Sequence, residues 1–111
     1  PLSQVGMTMR QARESDRSVL VASKNVSTIA AMPRPKIVGQ TEGLIRVLVD
    51  ADDHTVLGAT LWCIDSQELV NLVGLAMRLG ARDETLRDGI WTHPSSTEAF
   101  NEVLGALAPL D

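Results

Sequence analysis

Two apolar runs joined by four polar residues limit what this chain can fold into more than any other feature. GLIRVLVD (43–50) and TVLGATLWC (55–63) flank ADDH. Runs of branched residues around a short carboxylate-bearing connection predict an antiparallel hairpin. With a period of two, Ile45, Val47 and Val49 share one face, while Leu44, Arg46, Leu48 and Asp50 share the other. One face is wholly apolar and the other mixed, so the sheet has at least one covered side.

The next segment, DSQELVNLVGLAMRLG, predicts a helix from about Ser66 to Leu79. Asp65 is placed to cap it, Glu68 to complete a capping box, and Gly80 to end it in the left-handed conformation. Its polar and glycine positions, Gln67, Asn71, Gly74 and Arg78, form one narrow stripe. A helix resting on one sheet needs an apolar arc of about 100° or a little more, and this one has far more. It is expected to touch a second surface as well. A central place inside a small α/β domain satisfies that, and so does contact with another copy of the chain.

Around this centre, PLSQVGM reads as extended, and Thr8 with Gln11 forms a capping box for a short helix from Met9 to about Ser15. SVLVASKNV reads as a strand. IAAMPRPKIVGQTEG reads as a loop, because Pro33 and Pro35 exclude a helix interior or a central strand. A short helix over DETLRDG and a last one from about Ser96 to Leu107, with Phe100, Val103, Leu104 and Leu107 on one side, close the chain. Strands pairing antiparallel with helices mainly on one face give an α+β fold.

The chain has 111 residues, a net charge of −4 and a single cysteine, Cys63. That is one domain, residues 1–111, burying roughly 65% of the surface its unfolded chain exposes without disulfide support. Pro1 suggests a piece cut from something larger. The acidic balance with scattered arginines argues against nucleic acid, and no apolar run approaches the ~20 residues of a membrane span. With no signal peptide and no disulfide, the cytoplasm is the expected compartment.

The chemistry is sparse. There is no G-x-G-x-x-G, P-loop or C-x-x-C. His54 and His93 lie far apart with no cysteine at ligand spacing, so no metal site is expected. His54 reads as an exposed turn residue and Cys63 as a small buried hydrophobe. In THPSSTEAF (92–100), Ser95 and Glu98 have capping-box spacing, which would make Glu98 structural. The same spacing lets Glu98 orient the His93 imidazole and leave its other nitrogen to trade protons. From spacing alone both readings stand.

THPSSTEAFNEVL resembles the H-P-T-x-S-E motif near the C-terminus of the flavin-dependent pyridine nucleotide-disulfide oxidoreductases, the family of glutathione reductase and dihydrolipoyl dehydrogenase. TEGLIRVLVDADDHTVLGATLWCIDSQELVNLVGLAMRLG is similar to that family's G-x-x-K strand, L-G-A strand and E-(L/I)-I helix, and PLSQVGMT to the segment that opens its interface domain. MPRPKIV, LWCIDSQEL and LRDGIWTHPSSTEAFNE look closest to a mercuric-reductase-like branch that includes reactive-chlorine-resistance oxidoreductases. Mercuric reductases themselves carry tyrosine in place of His93 and a terminal cysteine pair absent here. The chain also departs from the family pattern at Cys63, Ile64, Ser66 and Ser95, where glycine, proline, alanine and threonine are usual.

The resemblance implies an interface domain detached from the FAD and NAD(P) domains of a parent enzyme. It implies a homodimer contact, explaining the over-apolar helix, so that a charge at Met77 or Leu72 should weaken association. It implies that His93 is the acid-base, Glu98 its orienting carboxylate, and the His93–Pro94 backbone a neighbour of the partner's flavin. FAD and NAD(P)H would belong to the parent, with no cofactor bound by this segment alone and no activity of its own. The alternative is a self-standing dimerisation or binding module whose His-Glu pair is structural.

Overall fold

Residues 1–30 and 32–110 are described by a computed structural model of the chain. Ala31, inside the expected loop, and Asp111, the last residue of the expected domain, lie outside the described residues. The two apolar runs form β3 (Leu44–Asp50) and β4 (Val56–Trp62), paired antiparallel as expected, with a register shift between Leu48 and Val49. Flanking them are β1 (Leu2–Gly6), β2 (Val19–Asn25) and a short β5 (Ala108–Pro109). The sheet is five-stranded, in the order β1-β4-β3-β2-β5, with every pairing antiparallel.

The sheet sorts its side chains by parity. Ile45, Val47 and Val49 join Ala22, Ala59 and Leu61 in the main core. Above that face lie α3 (Ser66–Arg78), across β1 and β4, and the pair α4 (Asp83–Arg87) and α5 (Ala99–Val103), toward β2. On the opposite face Leu48 and Val19 pack against Ala12 of α1 (Met9–Glu14). The α+β arrangement with helices mainly on one face is thus observed, and α1 is the exception. Its capping box is complete: the Gln11 amide donates to Thr8 Oγ1 at 3.1 Å and the Thr8 amide to Gln11 Oε1 at 2.9 Å. Among the described residues no helix is long and apolar enough to cross a membrane.

Helix α3 ends as expected. Gly80 adopts a φ of 65°, and the amides of Gly80 and Ala81 donate back to the carbonyls of Met77 and Ala76. Its sheet-facing side is Leu69, Val73 and Ala76, all buried. Leu75 and Leu79 face outward, 55% and 75% exposed, and Met77 packs partly buried against the core.

Four expectations need correction. Residues Pro33–Ile37 form a helical turn, α2, where a loop was expected. Both prolines sit in its first turn, where backbone amides have no helical acceptor to lose. Asp65 does not cap α3 with its side chain: its backbone is left-handed, φ 62° and ψ 15°, and its carboxylate turns elsewhere. The last helix is shorter than 96–107, because Ser96 and Glu98 are held in a preceding turn and Gly105 weakens the far end. It begins at Ala99, tightens into a 3-10 turn at Leu104–Ala106, and the chain then enters β5, which the sequence reading missed. His54 is no free turn residue, since its ring reaches the buried Asp83.

Candidate functional site

The connection between α4 and α5 carries His93, and its last residue is Glu98. Both ends of this connection are pinned. Trp91 Nε1 donates to the Leu86 carbonyl at 3.1 Å, and Asn101 Nδ2 donates to the carbonyls of Arg87 and Gly89 at 2.8 and 2.9 Å. The Trp91 ring lies flush on Gly89, where a Cβ would meet it at 2.3 Å. On the far side Ala99, Phe100 and Val103 have no exposure. Burying a phenylalanine is worth about 2–3 kcal/mol, so α5 is a firm base for the glutamate before it.

Between these anchors the expected pair is assembled. His93 Nδ1 lies 2.9 Å from Glu98 Oε1. A carboxylate can only accept, so Nδ1 carries the proton and donates it. The other oxygen, Oε2, accepts the Ser95 amide at 2.9 Å. Glu98 therefore makes both contacts that its spacing allowed, while Ser95 Oγ is buried with no hydrogen-bond partner among the described residues, so only half of the capping box forms. The Ser95 amide first, and the His93 hydrogen bond second, hold the Glu98 carboxyl below the usual carboxylate range. The His93–Pro94 peptide is cis. With Nδ1 fixed and its side chain 72% exposed, His93 presents Nε2 to whatever lies outside the domain. Such a ring can accept a proton there and return it.

A second carboxylate that the sequence reading assigned to a cap also belongs to this region. Asp65 Oδ2 accepts from Ser96 Oγ at 2.6 Å and from Arg34 Nε at 2.7 Å. Partial burial raises the Asp65 carboxyl, but the bonds from Ser96 and Arg34 and the Arg34 charge pull it below its ordinary value. Ser96 is itself buried, and its carbonyl accepts the Ala99 amide at the start of α5. Nothing in the spacing of Arg34, Asp65 and Ser96 marked them as neighbours.

The other reactive residues stand on different elements. His54 follows β3 and Cys63 follows β4, and among the described residues no hydrogen bond joins either to the His93 loop. Cys63 is 3% exposed, as expected of a small core residue, and burial pushes its thiol up to about 11. Among the described residues no group of three or more His, Cys, Asp or Glu side chains is placed to hold a metal ion. The described residues do not fit a dinucleotide cradle either, since every strand pairing is antiparallel and no glycine-rich turn leads from a strand to a helix N-terminus.

Residues 1–104 match the family described as pyridine nucleotide-disulphide oxidoreductase, dimerisation domain. A probable pyridine nucleotide-disulfide oxidoreductase, RclA, from Escherichia coli strain K12 is 43% identical over 107 residues, which are 96% of this chain and 24% of that protein. Dihydrolipoyl dehydrogenase 2 from Haloarcula marismortui is 33% identical over 105 residues, 95% of this chain and 22% of its own length. The solved structure of the HOCl-induced flavoprotein disulfide reductase RclA from Escherichia coli superimposes with a TM-score of 0.88 at 41% identity, covering 95% of this chain and 23% of that one. The chain thus spans about a quarter of the length of these two curated relatives.

Proposed function

Since the chain belongs to the dimerisation-domain family of the pyridine nucleotide-disulphide oxidoreductases, we propose that it serves as the interface domain of a longer FAD- and NAD(P)H-dependent enzyme. It pairs with a second copy there and lends His93 and Glu98 to the partner subunit's redox site. The flavin and a redox-active cysteine pair, both supplied by other parts of the parent, would carry the electrons. This chain's part is the proton.

The observation that carries the reading is the division of labour at Glu98. One oxygen is fixed by the Ser95 amide and the other holds His93 Nδ1, both at 2.9 Å. The ring cannot turn without losing a charge-assisted hydrogen bond, so Nε2 keeps one direction. A thiol brought to that nitrogen would give up its proton to it, and Glu98 would steady the imidazolium that results. His93 and the adjoining Pro94 are the residues that would stand nearest the flavin. The exposed Leu75 on α3 and Leu79 at its C-terminal cap support pairing through this domain, because a helix with apolar side chains on both sides is completed by a second surface. Cytoplasmic residence is part of the same proposal, since buried Cys63 is the only cysteine of the chain.

A non-catalytic reading has one observation in its favour: the Ser95–Glu98 bond alone would justify the glutamate as a turn former. Replacing His93 with alanine in the full-length enzyme separates the two. Loss of a general acid-base lowers turnover about a hundredfold or more. A loss below threefold, with folding intact, would leave the pair a structural one.

A further inference from the structure

We propose that Asp65 is a positioning residue for the His93–Glu98 pair, acting through Ser96; this rests on the proton-handling role just given to that pair. Three observations meet at Asp65. Its backbone holds a φ of 62°, a conformation that side-chain-bearing residues seldom adopt and that glycine or asparagine would take more easily. Its carboxylate stands at the head of α3 yet makes no capping bond to that helix. The carboxylate is instead directed to the Ser96 hydroxyl at 2.6 Å and to Arg34 at 2.7 Å, on segments distant in sequence.

A left-handed aspartate that forgoes its own helix needs a return elsewhere, and the return is at Ser96. That serine lies between His93 and Glu98, is 4% exposed, and starts the turn from which α5 springs. A short charge-assisted bond at this point fixes the hydroxyl to one place relative to α3, the helix with the exposed apolar side. Arg34 balances the charge of the carboxylate, so its acceptor oxygen stays ionised at neutral pH. The proton-bearing pair is thereby tied to the helix proposed to meet the second copy, and a shift at Ser96 would carry both His93 and Glu98 with it.

The test uses the full-length enzyme with ¹³C-labelled histidine, the His93 signal being identified by its absence from His93→Ala. Asp65→Gly keeps the left-handed backbone without strain but removes the acceptor, Ser96→Ala removes the donor, and Asp65→Asn keeps both the conformation and an acceptor oxygen. Asp65→Gly and Ser96→Ala should each move the His93 titration midpoint and the matching limb of the pH-rate profile, and lower kcat about tenfold with KM little changed. Asp65→Asn should stay within about twofold of the parent in both. A His93 titration and pH-rate profile left unchanged by Asp65→Gly and Ser96→Ala would overturn the inference. If His93→Ala itself keeps turnover within threefold, the functional reading falls instead, and the His93 titration still decides whether Asp65 places the ring.

Discussion

His54 Nδ1 lies 3.0 Å from Oδ1 of Asp83, a carboxylate with no solvent exposure. The contact joins the β3–β4 connection to the first residue of α4, and the Asp83 amide returns a bond to the His54 carbonyl at 2.9 Å. Among the described residues the other oxygen, Oδ2, has no hydrogen-bond partner, and the Arg87 guanidinium stands 3.9 Å from it. A buried carboxylate with one good partner depends heavily on that partner.

Replacing His54 with alanine should therefore cost about 1–3 kcal/mol of stability, the expense of leaving a buried acceptor unpaired. Asp83→Asn, which removes the charge as well as weakening the bond, should cost less than His54→Ala. Denaturant midpoints of the two variants check the order. Equal midpoints for His54→Ala and the parent protein would show that the pair contributes nothing.

Glu98 gives a pH dependence with a definite sign. Its folded carboxyl lies below the ordinary value because the Ser95 amide and His93 stabilise the ionised form. The stabilisation is fully present above the unfolded value, about 4.3, and is lost as pH falls through the lower folded value. The stability gap between the parent protein and Glu98→Gln should close as pH falls below about 4.5. Unfolding curves collected from about pH 5 downward measure it, and a gap that stays open as the carboxylate is protonated would contradict the assignment.

Cys63 should be unreactive while the protein is folded. A thiol pushed up to about 11 holds about a hundredth of the thiolate at pH 8 that an ordinary cysteine holds, and burial blocks approach as well. Alkylation at pH 8 should be at least about a hundredfold slower in the folded protein than in denaturant. A folded-state rate within tenfold of the unfolded one would mean that the thiol is open to reagents.

Helix α3 supplies the association test. The sequence pointed to Met77 and Leu72 as probes, but Met77 packs against the core, whereas Leu75 is 55% exposed. Leu75→Glu should weaken self-association by about tenfold or more while leaving the unfolding free energy of the monomer within about 0.5 kcal/mol of its original value. Sedimentation across a concentration series gives both species. Unchanged association would move the contact off this helix.

What could be read from the sequence was local. The hairpin needed only a period of two and a polar connection, the first helix only Thr8 and Gln11, and the end of α3 only Gly80, because each depends on residues within a few positions. The His93–Glu98 bond was legible for the same reason, being five residues long. The failures were of two kinds. Pro33 and Pro35 exclude a helix interior but not a first turn, and α2 is little more than that turn. Asp65 has the right spacing for a cap, yet a partner 31 residues away in sequence engages its carboxylate, and no local pattern shows such a partner. β5 is two residues long and exists only because β2 offers it an edge.

The central claim is that His93 works on another subunit, and hybrid dimers test it most directly. Full-length His93→Ala is mixed, unfolded and refolded together, with a variant that keeps His93 but lacks the redox cysteines in the other part of the parent enzyme. Each alone is inactive or nearly so. If His93 acts across the dimer, random pairing should restore about a quarter of the parent activity, since half the dimers are mixed and each holds one complete site. A mixture no more active than its two components, with hybrid dimers demonstrably formed, would contradict the claim.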